Sequence, residues 1–226
     1  MFVEQVSQQG GNAMSQVKVL IGGEGFAEIR REKYYYVDKT GFLNKFLSCS
    51  LASVTLFTRP RRFGKTLFLS MLAEFFDITK DSCDLFAGLR VSAKEELCKE
   101  RMNKYSVVFF SLKDVDGNWF SNALEDIQRI FSSVVIEHEY LLTSKTVNFA
   151  DKDILARVKE NRATDNELKN FLMILTRSMR YHHDKNVIVL LDEYDAPVAM
   201  AAEKVYYREM IHFMKGFFFF RPKKQT

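Results

Sequence analysis

A basic loop lies between two apolar stretches of this chain, and its ending constrains the fold most. Residues 58–66 read Thr-Arg-Pro-Arg-Arg-Phe-Gly-Lys-Thr, after the apolar run 52–57 and before the stretch 67–76, whose apolar residues recur at helical spacing. The pattern predicts a strand, a loop and a helix start. Such a loop presents the first backbone N–H groups of the helix to an anion. The sequence therefore predicts a phosphate-binding loop.

Each residue at the end of this loop has a predicted role in binding a nucleoside triphosphate. Gly64 leaves room for close approach of the backbone, and Lys65 can reach the β- and γ-phosphates. The Thr66 hydroxyl can bind Mg²⁺. The alternative is a solvated basic loop that contains Gly-Lys-Thr by chance.

The loop departs from the general pattern where a glycine is expected, because Arg59 and Pro60 stand there. Proline has no N–H to donate to a phosphate. Arg59, Arg61 and Arg62 carry guanidinium groups that can pair with phosphate oxygens in bidentate fashion. We therefore predict that side-chain charge replaces part of the backbone cradle.

A second motif follows the apolar run 187–191, which leads directly into Asp192 and Glu193. Five consecutive apolar residues predict a strand buried on both faces, as in a parallel sheet, and ligands bind at the carboxyl end of such strands. Asp192 is predicted to hold Mg²⁺, and Glu193 to orient and deprotonate an attacking water. A buried strand that ends at a polar turn is the alternative. The two motifs together favour the nucleotide site.

Three segments resemble the AAA-ATPase-like proteins of bacteria and archaea, which often carry a PD-(D/E)-x-K nuclease-like domain at the C-terminus. They are residues 34–40, 59–67 and 191–197, and the resemblance covers residues 21–215. It implies a P-loop NTPase core of three α/β/α layers with a mostly parallel sheet. It also implies ATP and Mg²⁺ as ligands, Lys65 and Glu193 as catalytic residues, and Phe63 and Leu67 as part of the binding loop. This family's loop has the same Arg-Pro-Arg-Arg-Phe-Gly-Lys form.

Composition is compatible with one α/β domain. The chain has 226 residues, 47% of them hydrophobic, and a formal net charge of +4, which does not by itself imply nucleic acid. No apolar run approaches the length of a membrane span, and the start lacks a signal-peptide core. We therefore expect a cytoplasmic protein without a membrane partner. Cys49, Cys83 and Cys98 have no spacing typical of disulfides or zinc.

Patterning divides the chain into a disordered tail at residues 1–16, a partial ATPase-like domain at 17–216 and an aberrant tail at 217–226. Apolar residues at helical spacing predict a long helix over 118–142, with Trp119 in the core. Thr164 and Glu167 predict a capping box at the start of a helix over 164–183. Further predicted helices cover residues 26–33, 40–47, 66–76, 151–161 and 203–216, and a further strand covers residues 106–111.

The C-terminus is anomalous, because four phenylalanines at 217–220 fit neither helical nor strand periodicity with a polar face. In the resembling family, two further strands of the sheet follow the one that carries the carboxylates. We therefore expect an incomplete sheet, with exposed strand edges and a tendency to self-associate. A frameshift and a natural end both remain open as explanations of residues 217–226.

Two classes of function follow. The resemblance implies an ATPase whose turnover drives an effector domain that these residues do not include. The alternative is a non-hydrolysing module that binds nucleotide or nucleic acid, or an inactive truncated gene product. Glu193 beside Asp192 favours the ATPase, since a pure binding module has little use for a base there.

Overall fold

A computed structural model describes residues 18, 25–43, 54–57 and 63–218. Two strands lie within these ranges, β1 Ser106–Ser111 and β2 Val187–Asp192. The helices that lie wholly within them are α1 Phe26–Arg31, α2 Lys65–Phe76, α3 Cys83–Phe86, α4 Glu95–Arg101, α5 Phe120–Glu137, α6 Tyr140–Thr143, α7 Phe149–Lys159, α8 Asp165–Lys169, α9 Phe171–His183, α10 Ala196–Ala202 and α11 Tyr207–Phe218.

The two strands pair in parallel, with Ser106 opposite Val187 and Ser111 opposite Asp192. Both strands were predicted from their apolar runs, and β2 extends one residue further, to Asp192. Because the strands are parallel, the residues that follow each of them lie at the same edge of the sheet. The chain is therefore of mixed α/β class, and the predicted carboxylates stand at the carboxyl end of the sheet.

Helices cover both faces of this sheet, as buried parallel strands require. Val108 and Phe110 point into a C-terminal core that also contains buried residues of α5, α7, α8, α9 and α11. Val107 and Phe109 point to the other side, into an N-terminal core that includes buried residues of α1, α2 and α3. Helix α2 packs on both strands, which places its first turn near the end of β2.

The strand predicted over residues 52–57 is not found where the structure describes it. Residues 54–57 adopt no regular structure, and Val54 and Leu56 are 83% and 59% exposed. Residues 52–53 lie outside the described ranges. A strand needs a neighbour for its backbone hydrogen bonds, and the described sheet consists of β1 and β2 alone. Phe57 instead packs its ring against Phe42 and Phe68.

Helix α11 corrects the interpretation of the C-terminal phenylalanines. It runs through Phe217 and Phe218, two residues beyond the predicted end. Met210, Phe213, Met214 and Phe217 are all buried, a spacing of i, i+3, i+4 and i+7 that is typical of one helix face. Phe217 therefore continues the helical periodicity, and its ring stacks on Phe131 with centroids 5.3 Å apart. Residues 219–226 lie outside the described ranges.

Two further predictions are corrected in detail. Trp119 precedes the first turn of α5 and is 63% exposed, so it is not a core residue. The helix predicted over 164–183 is divided at Asn170, whose φ of −95° and ψ of 1° interrupt it between α8 and α9. The capping box of Thr164 and Glu167 is confirmed at the start of α8. The helices predicted over 26–33, 66–76 and 151–161 are found as α1, α2 and α7 with shifted ends.

Candidate functional site

The first turn of α2 is open at its N-terminus. Gly64 stands at the N-cap position with a φ of 71°, in the left-handed region that favours glycine, and no side chain caps the helix there. The first N–H groups of a helix have no partner within it, and together with the helix dipole they form a ready site for an anion. The described end of the predicted loop, residues 63–66, thus leads into a helix N-terminus that no side chain caps.

Thr66 and Asp192 are 126 residues apart in sequence and meet at this point. The Thr66 hydroxyl donates a hydrogen bond to Asp192 Oδ2 at 2.5 Å. Asp192 is only 3% exposed, at the last position of β2. The structure therefore brings together the hydroxyl and the carboxylate that the sequence predicts as the magnesium pair, and both supply the oxygen ligands that Mg²⁺ prefers.

Lys65 and Glu193, the two predicted catalytic residues, form an ion pair beside this contact. Lys65 Nζ lies 3.3 Å from Glu193 Oε1, and the side chains are 23% and 30% exposed. Glu193 has a φ of 46°, which is uncommon for a residue with a side chain. Pro197, in the first turn of α10, favours the start of this helix at Ala196, three residues after Glu193. The carboxylate thus sits on a short turn between β2 and α10.

The other predicted loop residues are placed differently. Phe63 is 59% exposed, at the start of the described loop end. Leu67 turns its side chain toward the N-terminal core, so its contribution to the site is limited to its backbone. Arg59, Arg61 and Arg62 lie outside the described residues. The described part of the chain contains no cluster of three or more His, Cys, Asp or Glu side chains that could hold a metal ion by themselves.

Sequence reasoning missed Lys39, which reaches the loop from the segment after α1. Its Nζ donates to the Phe63 carbonyl oxygen at 3.3 Å, and a Cβ placed on Gly64 would lie 3.2 Å from the same nitrogen. Lys39 belongs to the segment 34–40 that carries part of the family resemblance, but no spacing rule connects it to a loop 24 residues later. The position of Lys39 beside the loop was therefore not predictable from the spacing of residues in the sequence.

The segment that carries Lys39 is held by Asp38. Partial burial disfavours the charged form of this carboxyl, but hydrogen bonds from the Thr40 hydroxyl and from the N–H groups of Arg90 and Thr40 outweigh it and lower the pKa of Asp38 below its usual value. Asp38 is therefore ionised at neutral pH and serves as an acceptor for the backbone.

Comparison with known proteins gives a family and one relative. A family model described as "Predicted AAA-ATPase" matches residues 20–226. A protein of Azotobacter chroococcum mcd 1, named "Uncharacterized protein in vnfD 5'region", is 32% identical over 186 residues. That match covers 82% of this chain and 30% of the relative, so the chain spans about a third of the relative's length. No solved structure matches the chain. None of the helices in the described ranges combines the length and apolar character needed to cross a bilayer.

Proposed function

The chain belongs to the predicted AAA-ATPase family, and from this premise we propose that it binds ATP with Mg²⁺ and hydrolyses it. The same proposal takes the two-stranded sheet, covered by helices on both faces, as the described part of a three-layer P-loop core. Because the chain spans 30% of its relative's length, we further propose that turnover serves an effector domain elsewhere in a longer protein.

The contact between Thr66 and Asp192 is the observation that carries the proposal. It joins the N-terminus of α2 to the carboxyl end of β2, at 2.5 Å. The edge of a parallel sheet beyond its carboxyl ends is where α/β proteins place their ligands. A hydroxyl and a buried carboxylate at that edge, next to free helix N–H groups, are arranged for a phosphate and its magnesium ion.

Each residue then has a role in the bound state. Lys65 exchanges Glu193 for the β- and γ-phosphates, and the N–H groups after Gly64 hold the same phosphates. Thr66 and Asp192 hold Mg²⁺, which neutralises phosphate charge. Glu193, released from Lys65, accepts a proton from the attacking water. In this proposal the ion pair between Lys65 and Glu193 breaks when nucleotide binds, and each side chain then takes its own role.

The remaining residues of the predicted loop complete the proposal. Arg59, Arg61 and Arg62 are proposed to pair with phosphate oxygens through their guanidinium groups, in place of part of the backbone N–H donors of a glycine-rich loop. Phe63, exposed before the helix, has room to cover the bound phosphates. Self-association remains a further proposal, supported by the exposed Val54 and Leu56. Nucleic-acid binding is also only a proposal, because a net charge of +4 does not by itself imply it.

Replacement of Lys65 tests nucleotide binding. Lys65→Ala should weaken binding of ATP with Mg²⁺ at least about tenfold, because a hydrogen bond to a charged group is worth roughly 1.5–3 kcal/mol. Isothermal titration with the purified chain measures the affinity. Lys80→Ala is a matched control, since Lys80 also pairs with a glutamate, Glu74, at 2.7 Å. If the unaltered chain and Lys65→Ala bound ATP with equal affinity, the proposal that this loop binds phosphate would be wrong.

Replacement of Glu193 separates the ATPase from a non-hydrolysing module. Glu193→Gln should keep nucleotide affinity and lower turnover by about 10² to 10⁴, the usual contribution of a positioned base. Phosphate release under saturating ATP measures this, with Glu74→Gln as the control glutamate. Turnover that is the same in Glu193→Gln would exclude Glu193 as the base. A chain that binds ATP without any turnover would favour the binding module.

A further inference from the structure

Lys39 places a second ammonium group at the N-terminus of α2, in addition to the one on Lys65. Its Nζ lies 3.3 Å from the Phe63 carbonyl oxygen, on the approach to Gly64. In the described part of the chain this is its only hydrogen bond, and no carboxylate lies within ion-pair distance of it. Lys65 differs, because it is neutralised by Glu193.

An unpaired ammonium group is electrostatically unfavourable at this end of a helix. The N-terminus of α2 carries the positive end of the helix dipole, which stabilises anions and disfavours cations. A neutral carbonyl oxygen compensates such a charge poorly compared with an anion, since charge-assisted hydrogen bonds are roughly twice as strong as neutral ones. The position of Lys39 therefore fits a group that meets an anion in the working protein.

The backbone around Lys39 is fixed from both sides. Asp38 Oδ1 accepts hydrogen bonds from the N–H and the hydroxyl of Thr40, at 2.8 and 2.6 Å. Asp38 Oδ2 accepts from Arg90 N–H at 2.7 Å, and the Thr40 hydroxyl oxygen accepts from Val91 N–H at 3.1 Å. Thr40 is fully buried. Because the backbone of this turn is already fixed, binding through Lys39 costs less conformational entropy than binding through a lysine on a mobile loop.

We propose that Lys39 is a second phosphate-binding lysine of the nucleotide site, an inference that rests on the proposed function. When the triphosphate binds, the Lys39 ammonium group leaves the Phe63 carbonyl oxygen and donates to a phosphate oxygen. The turn of Asp38 and Thr40 holds it there. The ligand chemistry that Lys39 recognises is the polyphosphate and not the nucleoside.

The test compares the chain with Lys39→Met and Lys39→Arg in titrations with ATP and with inorganic tripolyphosphate, both with Mg²⁺. Lys39→Met keeps the aliphatic stem and removes the charge, so both ligands should bind about tenfold more weakly, as expected for loss of one bond to a charged group. Lys39→Arg should keep most of the affinity. Lys18→Met is the matched control, because Lys18 also donates to a backbone carbonyl, that of Glu32, at 3.4 Å.

Four outcomes decide the proposal. Equal weakening for both ligands, with thermal unfolding of the empty protein unchanged, supports it. Weakening for ATP alone overturns it, since Lys39 would then contact the nucleoside. Wild-type affinity in Lys39→Met, together with a loss in Lys65→Ala, overturns the role of Lys39 and leaves the proposed function standing. Absence of ATP binding by the unaltered chain overturns the proposed function and this inference with it.

Discussion

Two aspartates are almost fully buried in this protein, and their surroundings differ. Asp151 in α7 and Asp192 at the end of β2 are 2% and 3% exposed. Asp151 accepts hydrogen bonds from Arg177 Nε at 2.8 Å and Nη2 at 2.5 Å, and from Asn148 Nδ2 at 2.8 Å. Asp192 accepts one from the neutral hydroxyl of Thr66, and no Lys, Arg or His of the described residues forms an ion pair with it.

The difference distinguishes a carboxylate that stabilises the fold, Asp151, from one that holds a ligand in the proposed function, Asp192. Removing a charge from water is costly unless the protein supplies a counter-charge and hydrogen bonds. Arg177 supplies both to Asp151, in bidentate geometry, and so joins α7 to α9. Asp192 receives a single hydroxyl from the described residues, so its carboxylate keeps capacity for a cation. We read that capacity as the place of Mg²⁺ in the proposed function.

The largest effect is expected at the structural pair. Arg177→Ala leaves the Asp151 carboxylate buried without its counter-charge, and breaking a buried pair costs roughly 3–5 kcal/mol. Because the Arg177 side chain is 41% exposed, we expect the lower end, about 3 kcal/mol of unfolding free energy. Urea unfolding measures it. Binding of ATP should be unaffected under native conditions, since α7 and α9 contribute no residue to the site.

The control for this prediction is Arg162→Ala, which removes an arginine whose ion pair with Glu160 is exposed on both sides. Its effect on unfolding should be small, because exposed pairs contribute little. If Arg177→Ala lowered the free energy of unfolding as little as Arg162→Ala, the stability of buried Asp151 would not depend on its arginine. The surroundings of Asp151 and Asp192 would then not distinguish their roles.

Local pattern predicted much of this fold and several of the residues that the structure brings together at the candidate site. The apolar runs located β1 and β2, and the motif ending in Lys65 and Thr66 located α2. The approach of Thr66 to Asp192 was expected because both were predicted to hold the same magnesium ion, although the strand predicted before the loop is not found where the structure describes it. These features depend on short stretches of sequence or on one rule of sheet geometry, which is why sequence sufficed.

What sequence missed depends on partners far along the chain. Residues 54–57 have strand-like composition, yet a strand forms only where a neighbour offers hydrogen bonds. Phe217 looked anomalous among four phenylalanines until its stacking on Phe131 gave it a place in the core. The turn that carries Lys39 is held by hydrogen bonds from the Arg90 and Val91 N–H groups to Asp38 and Thr40, about fifty residues away, and no periodicity encodes such contacts.

A smaller effect, of opposite sign on stability, is expected at Asp192, the carboxylate that we propose holds Mg²⁺. Asp192→Asn removes a buried charge but keeps an amide oxygen that can accept from Thr66, so the empty protein should unfold at an equal or higher urea concentration. Affinity for ATP should fall at least about tenfold in the presence of Mg²⁺ and change little with EDTA, because even the loss of residues that support metal ligands typically costs about 10- to 100-fold in metal affinity. Titrations with and without Mg²⁺ give the affinities, and urea unfolding of the same preparation gives the stability. Asp192→Asn could instead unfold at as low a urea concentration as Arg177→Ala and keep the dependence of its ATP affinity on Mg²⁺. That result would mean that both buried aspartates are structural.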